Sequence, residues 1–461
     1  MSESDTTLCI LGASGDLTSR ALLPALAELL TEDPARRVQL IGAGTQDWSD
    51  EDWRGAIAKA FTATAKPGEE RGDALAEVRD GAIYRRTDIT DPDDFGALLR
   101  ECTGKTALYF AVPPAVALKG CEALEHLELP DGLVLALEKP FGTDEASAAS
   151  LNALLSRLVP EEQVYRIDHF LGRSTVLNVL GLRFANRVFE PVWSNDHVES
   201  VSIRFDEMLA LEGRAGYYDT AGALIDMIQS HLLQVLAIIG MDPPVALDAL
   251  DFRDEKAAVL RATKVWDDDP VTNSRRARYT AGSIDGRELP DYADEPGVDP
   301  SRGTETLAEV TFAVETSRWA GVPFTIRSGK GLTEKFSEIV LHFKQVSHLP
   351  RGFDGSTRPS ALRLSLGPDR MALDLNLNAP GEPFHLDRAS LETEFTAVAR
   401  RPYTEVLEGI LDGDATLSVR GDTAEQCWRI VQPVLDAWKR DAVPLEEYPA
   451  GSKGPEHWPR L

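Results

Sequence analysis

TTLCILGASGDL, residues 6–17, decides the fold class. A short apolar run is closed by Gly12, and Leu22, Leu23, Leu26, Leu29 and Leu30 then recur at helical spacing. The pattern repeats. RVQLIGAG (37–44) is a second strand, followed by a helix marked by Trp53, Ile57 and Phe61. ALYFAV (107–112) is a third, ending at Pro113 and Pro114, and GLVLALEKP (132–140) a fourth. TDEASAASLNALLSRLV (143–159) is an amphipathic helix with acids in its first turn, where the helix dipole favours them. Apolar strands alternating with helices require a parallel sheet covered on both faces.

Beyond about residue 165 the texture changes. AGALIDMIQSHLLQVLAIIGM (221–241) is apolar almost all round, as in a buried helix. ESVSIRFDEM (199–208), LAEVTFAV (307–314), FSEIVLHFK (336–344), ALRLSLG (361–367) and RMALDLNLN (370–378) alternate with period two, the pattern of an antiparallel sheet with one solvated face. Residues 285–304, rich in Gly, Pro and Asp, read as a long surface loop. The expected architecture is a Rossmann-like α/β dinucleotide-binding domain over 1–167. A larger α+β domain with a mainly antiparallel sheet, for substrate binding and dimerisation, takes 168–461.

Composition bounds the function. The chain has 461 residues, 43% hydrophobic and 27% charged, as an ordinary globular protein of two or three domains would. Its 48 Lys and Arg against 75 Asp and Glu leave a net charge of −27. That charge argues against nucleic acid or an anionic membrane as partner, though not against an anionic small molecule in one locally cationic cleft. Cys9, Cys102, Cys121 and Cys427 are widely spaced without a CxxC pair, which suits a reducing cytoplasm and gives no zinc site. No run approaches the roughly 20 apolar residues of a membrane span, and MSESDTT lacks the features of a leader.

Six segments bear on the chemistry. ILGASGDL (10–17) sits where a first strand–helix turn can face helix N–H groups towards a diphosphate, although it is not the full GxGxxG. GAGTQD (42–47), at the end of the second strand, offers neither an acid for a ribose 2′-hydroxyl nor an arginine for a 2′-phosphate at the expected place. EKPFG (138–142) puts Lys139 at a strand end, either as a cation in the ligand crevice of such a sheet or as a solvent-facing lysine before a proline turn. In YRIDHFLGR (165–173), read as helix, His169 and Arg173 share a face as an anion clamp or form a surface ion-pair cluster. In the buried helix, Asp226 and His231 lie five apart, about 140° round an α-helix. Asp226 is then poorly placed to orient His231, and Asp168 is the candidate. GVPFTIRSGKGLTEK (321–335) gathers Arg327, Lys330 and Lys335 around glycines, for a phosphate or for a solvated turn.

Together these motifs resemble the glucose-6-phosphate dehydrogenase family nearly end to end. GASGDL, YFAVPP (109–114), EKPFG, YRIDHFLGR, EGRAGYYDTAGALIDMIQSHLLQ (212–234), RWAGVPFTIRSGKGL (318–332), LDGDATLSVRGD (411–422) and YPAGSKGP (448–455) match family blocks in order. The resemblance implies oxidation of glucose 6-phosphate to its lactone with hydride transfer to NADP, in a cytoplasmic homodimer or homotetramer and without a metal. It implies His231 as general base and Asp168 as the acid that orients it. Lys139, His169, Arg173, Glu207, Asp226, Lys330 and Lys335 would bind substrate. Gly12, Ser14, Gly15, Asp16, Leu17, Thr45, Tyr109, Pro113 and Lys139 would bind the coenzyme.

Departures from the family pattern cluster at the phosphate pocket and the coenzyme ribose. Phe170 stands for a tyrosine, Arg173 for a lysine, Ser230 for an asparagine, Ile225 for an arginine and Thr45 for the 2′-phosphate arginine. They leave open NAD in place of NADP, another sugar or sugar phosphate, or a non-catalytic regulatory relative. The intact coenzyme turn and the retained Lys139, Asp168, Asp226 and His231 argue against the last.

Overall fold

The computed structural model describes residues 6–64, 73–367, 370–394 and 400–459; the opening MSESD, part of the stretch read above as lacking a leader, lies outside them. Two compact units emerge, neither of them continuous in sequence. Unit 1 is Met1–Arg173 with Pro244–Asp254 and Ala399–Glu425, and unit 2 is Ser174–Pro243, Glu255–Val398 and Gln426–Leu461. This differs from the linear division at 167/168, because two later segments return to the first unit.

In unit 1, β1 (Thr6–Leu11), β2 (Val38–Gly44), β3 (Ile83–Arg86), β4 (Lys105–Phe110), β5 (Val134–Glu138) and β6 (Val164–Ile167) form a parallel sheet ordered β3-β2-β1-β4-β5-β6. Its residues alternate between two cores. Leu8, Ile10, Leu40, Ala107, Tyr109, Val134 and Ala136 enter one; Cys9, Leu11, Ile41, Leu108, Phe110, Leu135 and Leu137 enter the other. A strand apolar on both faces must be covered on both, which is why the strands alternate with helices. These are α1 (Leu23–Glu32), entered through a π turn at Thr18–Leu22, then α2 (Asp50–Thr64), α3 (Asp73–Gly81), α4 (Pro92–Leu99), α5 (Pro114–Leu124) and α6 (Glu145–Leu158). Asp144 and Ser147 close a capping box on α6, satisfying N–H groups that helix geometry leaves unpaired. The four strands expected from sequence are all present. β3 and β6 were missed because IYRR and VYRI carry no apolar run long enough to stand out, Arg166 being buried against Glu161 at 2.8 Å.

In unit 2, α7 (Ser174–Phe184) precedes β7 (Val198–Asp206), and a 26-residue helix then runs from Ala215 to Gly240. It consists of α8 (Ala215–Ala223), a π segment at Leu224–Leu232, and α9 (Leu233–Gly240). By length and composition this helix could cross a membrane, contrary to the sequence expectation, but 83% of its most apolar window is buried inside the fold. An all-round apolar helix packed inside a fold is a core helix.

The chain continues through α10 (Asp251–Ala262), β8 (Thr263–Val265), β9 (Ser274–Thr280), the β10–β11 hairpin (Gly282–Ile284, Arg287–Leu289), β12 (Leu307–Val314), β13 (Pro323–Gly329), β14 (Phe336–Phe343), β15 (Asp354–Gly355), β16 (Ala361–Ser365), β17 (Arg370–Asn378) and β18 (His385–Glu394). α11 (Pro402–Asp412), α12 (Gly421–Lys439) and β19 (Leu445–Pro449) complete it. Among the described residues the unit 2 sheet has 11 strands, ordered β15-β18-β17-β16-β14-β7-β13-β12-β9-β19 with β8 on β12. It is mixed but mostly antiparallel, the β7–β13, β9–β19 and β15–β18 pairs being parallel. Residues 285–304 are not simply a surface loop. They hold β11 and the buried Tyr292, whose hydroxyl donates to Asp219 at 2.9 Å.

α11 packs its apolar residues into unit 1. Val406, Leu407, Ile410 and Leu411 belong to the same core as Leu8, Ile10 and the buried face of α1.

Candidate active site

At the end of β1 the backbone turns at Gly12, whose φ is +93° and where a Cβ would stand 2.2 Å from the Ala111 carbonyl oxygen. Only glycine fits there. The N–H groups of Gly12 and Ala13 both donate to the Ala43 carbonyl (2.8 and 3.0 Å), and Gly15 N–H donates to Gly12 O (3.0 Å). This tight turn leaves Ser14 and Asp16 exposed at the start of the helix. The turn brings glycine backbone and the start of the following helix to the end of β1, the place where a dinucleotide's diphosphate would meet such a sheet. Thr45 is exposed one residue past β2 and Pro113 is exposed just before α5.

Tyr109 is fully buried and donates its hydroxyl to Glu138 at 2.6 Å. Burial pushes the Glu138 carboxyl up to about 7, against the opposing pull of hydrogen bonds from Tyr109 and Tyr403 and of the Lys139 charge. Tyr403 in turn stacks flat on His169, centroids 5.6 Å apart. Two residues of the YRIDHFLGR and EKPFG motifs are thus linked through a tyrosine of α11 that carried no sequence signal.

The helix expected through His169 and Arg173 is absent. β6 ends at Ile167, and Asp168 Oδ1 accepts the Phe170 N–H at 2.9 Å in a tight turn. A short acidic side chain that bonds its own backbone two residues on competes with helix formation. The shared-face argument for His169 and Arg173 therefore falls, but a different relationship replaces it. The Arg173 guanidinium lies 3.9 Å over the Phe170 ring, a cation–π contact that fixes the arginine where the family has a lysine.

In unit 2, Lys330 Nζ pairs with Glu207 at 2.5 Å and lies 5.2 Å from the centre of the Tyr218 ring. Backbone bonds hold both ends: Glu207 N–H to Gly329 O (2.8 Å), Lys330 N–H to Thr306 O (2.8 Å), and Tyr448 OH to Lys330 O (2.6 Å). Burial, and after it the Asp226 carboxylate, hold the Tyr218 hydroxyl well above its ordinary range. Arg327 is excluded from this cluster, being buried in an ion pair with Asp206 at 3.2 Å. Lys335 is exposed between the end of β13 and β14.

Asp226 and His231 both ride on the π segment, and His231 is buried. A π turn bonds residue i to i+5, so residues five apart fall near one face rather than about 140° apart. The angular argument that separated them held only for an α-helix. Ser230 turns its hydroxyl back onto the Asp226 carbonyl at 3.0 Å.

Sequence reasoning missed Glu305. It is buried, accepts the Leu224 N–H at 2.9 Å where the π segment begins, and is pushed up to about 7 by burial. An acid inside TETL, next to a β-strand, was the available signal.

Residues 9–178 match the glucose-6-phosphate dehydrogenase NAD-binding domain and residues 180–461 its C-terminal domain. The glucose-6-phosphate 1-dehydrogenase of Gluconobacter oxydans is 39% identical, over 98% of this chain and 95% of that protein. The Treponema pallidum enzyme of the same name is 37% identical, over 97% and 92%. A solved glucose-6-phosphate dehydrogenase in complex with glucose 6-phosphate superposes with a TM-score of 0.88 at 29% identity, covering 99% of this chain and 96% of that one. The Mycobacterium avium enzyme gives 0.83 at 32% identity, with the same coverage.

Proposed function

The chain belongs to the glucose-6-phosphate dehydrogenase family, and from that premise we propose the residue roles below. The reaction is oxidation of D-glucose 6-phosphate to 6-phospho-D-glucono-1,5-lactone with NADP, the first step of the oxidative pentose phosphate pathway. The coenzyme, when bound, accepts the hydride that leaves the anomeric carbon.

His231 takes the proton of the anomeric hydroxyl as general base. Asp168 holds the imidazole tautomer and offsets its developing charge, as a carboxylate does for a hydrolase histidine. His169, Arg173 and Lys330 anchor the phosphoryl group, so that binding energy far from the reacting carbon is spent on orientation. Glu207 and Asp226 take sugar hydroxyls. Lys139 contacts both substrate and coenzyme, and Lys335 adds positive charge.

The Glu207–Lys330 pair beside Tyr218 carries the substrate half of this reading, because it holds a cation and a carboxylate together on restrained backbone, with the Asp226 charge acting on the same tyrosine. Initial rates at 340 nm, with glucose 6-phosphate and glucose compared under NADP and NAD, test it. Fast turnover of the phosphorylated sugar alone supports the phosphate-anchoring roles; equal rates with glucose would remove them.

The same reading extends to assembly and location. Leu377, Phe384 and Leu391 are exposed on or beside β17 and β18, which supports a homodimer or homotetramer formed through that face. Cys9, Cys102, Cys121 and Cys427, none of them in a disulfide among the described residues, support a cytoplasmic location. Sedimentation measures the first, and fractionation the second.

A further inference from the structure

The end of β2 lacks a cation for the coenzyme's 2′-phosphate, with Thr45, Gln46 and Asp47 following Gly44. The sheet supplies one from the neighbouring strand. β3 runs parallel to β2 with Arg86 directly opposite Gly44, and the Thr87 N–H donates to the Gly44 carbonyl at 2.9 Å. Side chains on a strand alternate faces, so Arg85 and Arg86 point apart. Arg85 is committed to Glu101 at 2.6 Å and Asp50 at 3.3 Å. Arg86 is exposed and has no ion pair or side-chain hydrogen bond among the described residues.

Arg86 shares its face with Tyr84, which ties it to the coenzyme turn. The Tyr84 hydroxyl donates to the Gln46 carbonyl at 3.1 Å and stands 3.1 Å from where a Cβ on Gly44 would lie; the Ser14 hydroxyl is 3.9 Å from the same point. The ends of β1, β2 and β3 therefore converge on Gly44. Burial raises the Tyr84 hydroxyl pKa, while its hydrogen bond to Gln46 and the positive charge of Arg86 oppose that, so the guanidinium is felt at this spot.

We propose that Arg86, from the end of β3, binds the adenosine 2′-phosphate of NADP and replaces the arginine absent at Thr45. The proposal rests on NADP as the coenzyme. A guanidinium forks two N–H donors onto phosphate oxygens, and an NAD ribose offers it no such partner. The competing explanation is a charge that keeps the edge strand β3 from pairing with another chain.

Calorimetry on the full chain separates the two without turnover, using adenosine 2′,5′-bisphosphate and adenosine 5′-monophosphate as probes. Arg86→Ala should weaken the bisphosphate by about 10- to 100-fold and leave the monophosphate unchanged. In rate assays the same variant should raise KM for NADP, with kcat and the KM for NAD unmoved. Thr45→Arg added to Arg86→Ala should restore bisphosphate affinity, which also shows that the variant folds. Unchanged bisphosphate affinity, an equal loss for both probes, or a wild-type chain that binds the two alike would each overturn the proposal.

Discussion

Glu305 and Gly222 occupy space that only a glycine can share. A Cβ on Gly222 would stand 2.3 Å from Glu305 Oε1, and the residue is held at φ 64° and ψ −179° within α8. The same carboxyl oxygen accepts the Leu224 N–H at 2.9 Å. A backbone kink and a buried acid thus set together where the segment bearing Asp226 and His231 begins.

Gly222→Ala should be destabilised by about 1–3 kcal/mol from backbone strain alone. It should also lose kcat more than affinity for glucose 6-phosphate, since the helix start has to shift. Thermal melts and initial rates measure both, and a variant as stable and as active as the parent would contradict the steric argument.

Glu305→Gln keeps an oxygen to accept the Leu224 N–H but cannot ionise. With its folded pKa raised to about 7 from 4.5, Glu305 binds a proton in the folded state that the unfolded chain has released between those values. Its stability contribution is therefore full below about 4.5 and is lost as pH rises towards 7. The melting temperature of the parent relative to Glu305→Gln should fall across that window. A constant difference from pH 4.5 to 8 would refute the assignment.

Tyr109→Phe removes a donor from a buried carboxyl, at a cost of about 1–3 kcal/mol. The loss should be larger at pH 8 than at pH 6, because Glu138, pushed up to about 7, needs its donors most when charged. Denaturant titrations at the two pH values provide the comparison.

Arg173→Ala should raise KM for glucose 6-phosphate by about 10- to 100-fold, the value of a charge-assisted hydrogen bond, and leave turnover of unphosphorylated glucose unchanged. Phe170→Leu, which keeps the apolar volume but removes the ring under the guanidinium, should show a smaller effect of the same kind. If both sugars suffer equally, Arg173 does not bind phosphate.

His231→Asn should reduce kcat by about 100- to 10,000-fold, the usual contribution of a general base, with coenzyme binding retained in calorimetry. Full activity would remove His231 from the mechanism.

Where residues declare themselves by periodicity, the chain was legible. Leu8 to Leu11 announce a strand buried on both faces, and Gly12 a turn that tolerates no side chain. What escaped was set by local competition or by distant partners. Asp168 diverts a stretch of helical charge spacing into a turn by bonding the Phe170 N–H. The π segment changes which residues share a face without changing composition. Tyr403 and Glu305 gain their roles only through partners far off in sequence, Glu138 and Leu224, which no local window contains.

The placement of Val406, Leu407, Ile410 and Leu411 in the core beside β1 bears on how the protein is made. At ribosomal rates of about 5–20 residues per second, those side chains emerge on the order of tens of seconds after the strands of the first sheet are complete. Until then the part of that layer that α11 covers, beside the α1 and α2 residues already packed there, is exposed on the nascent chain. A fragment ending at Arg173 would keep it uncovered for good, so chaperone dependence and aggregation of truncated products should track the arrival of α11.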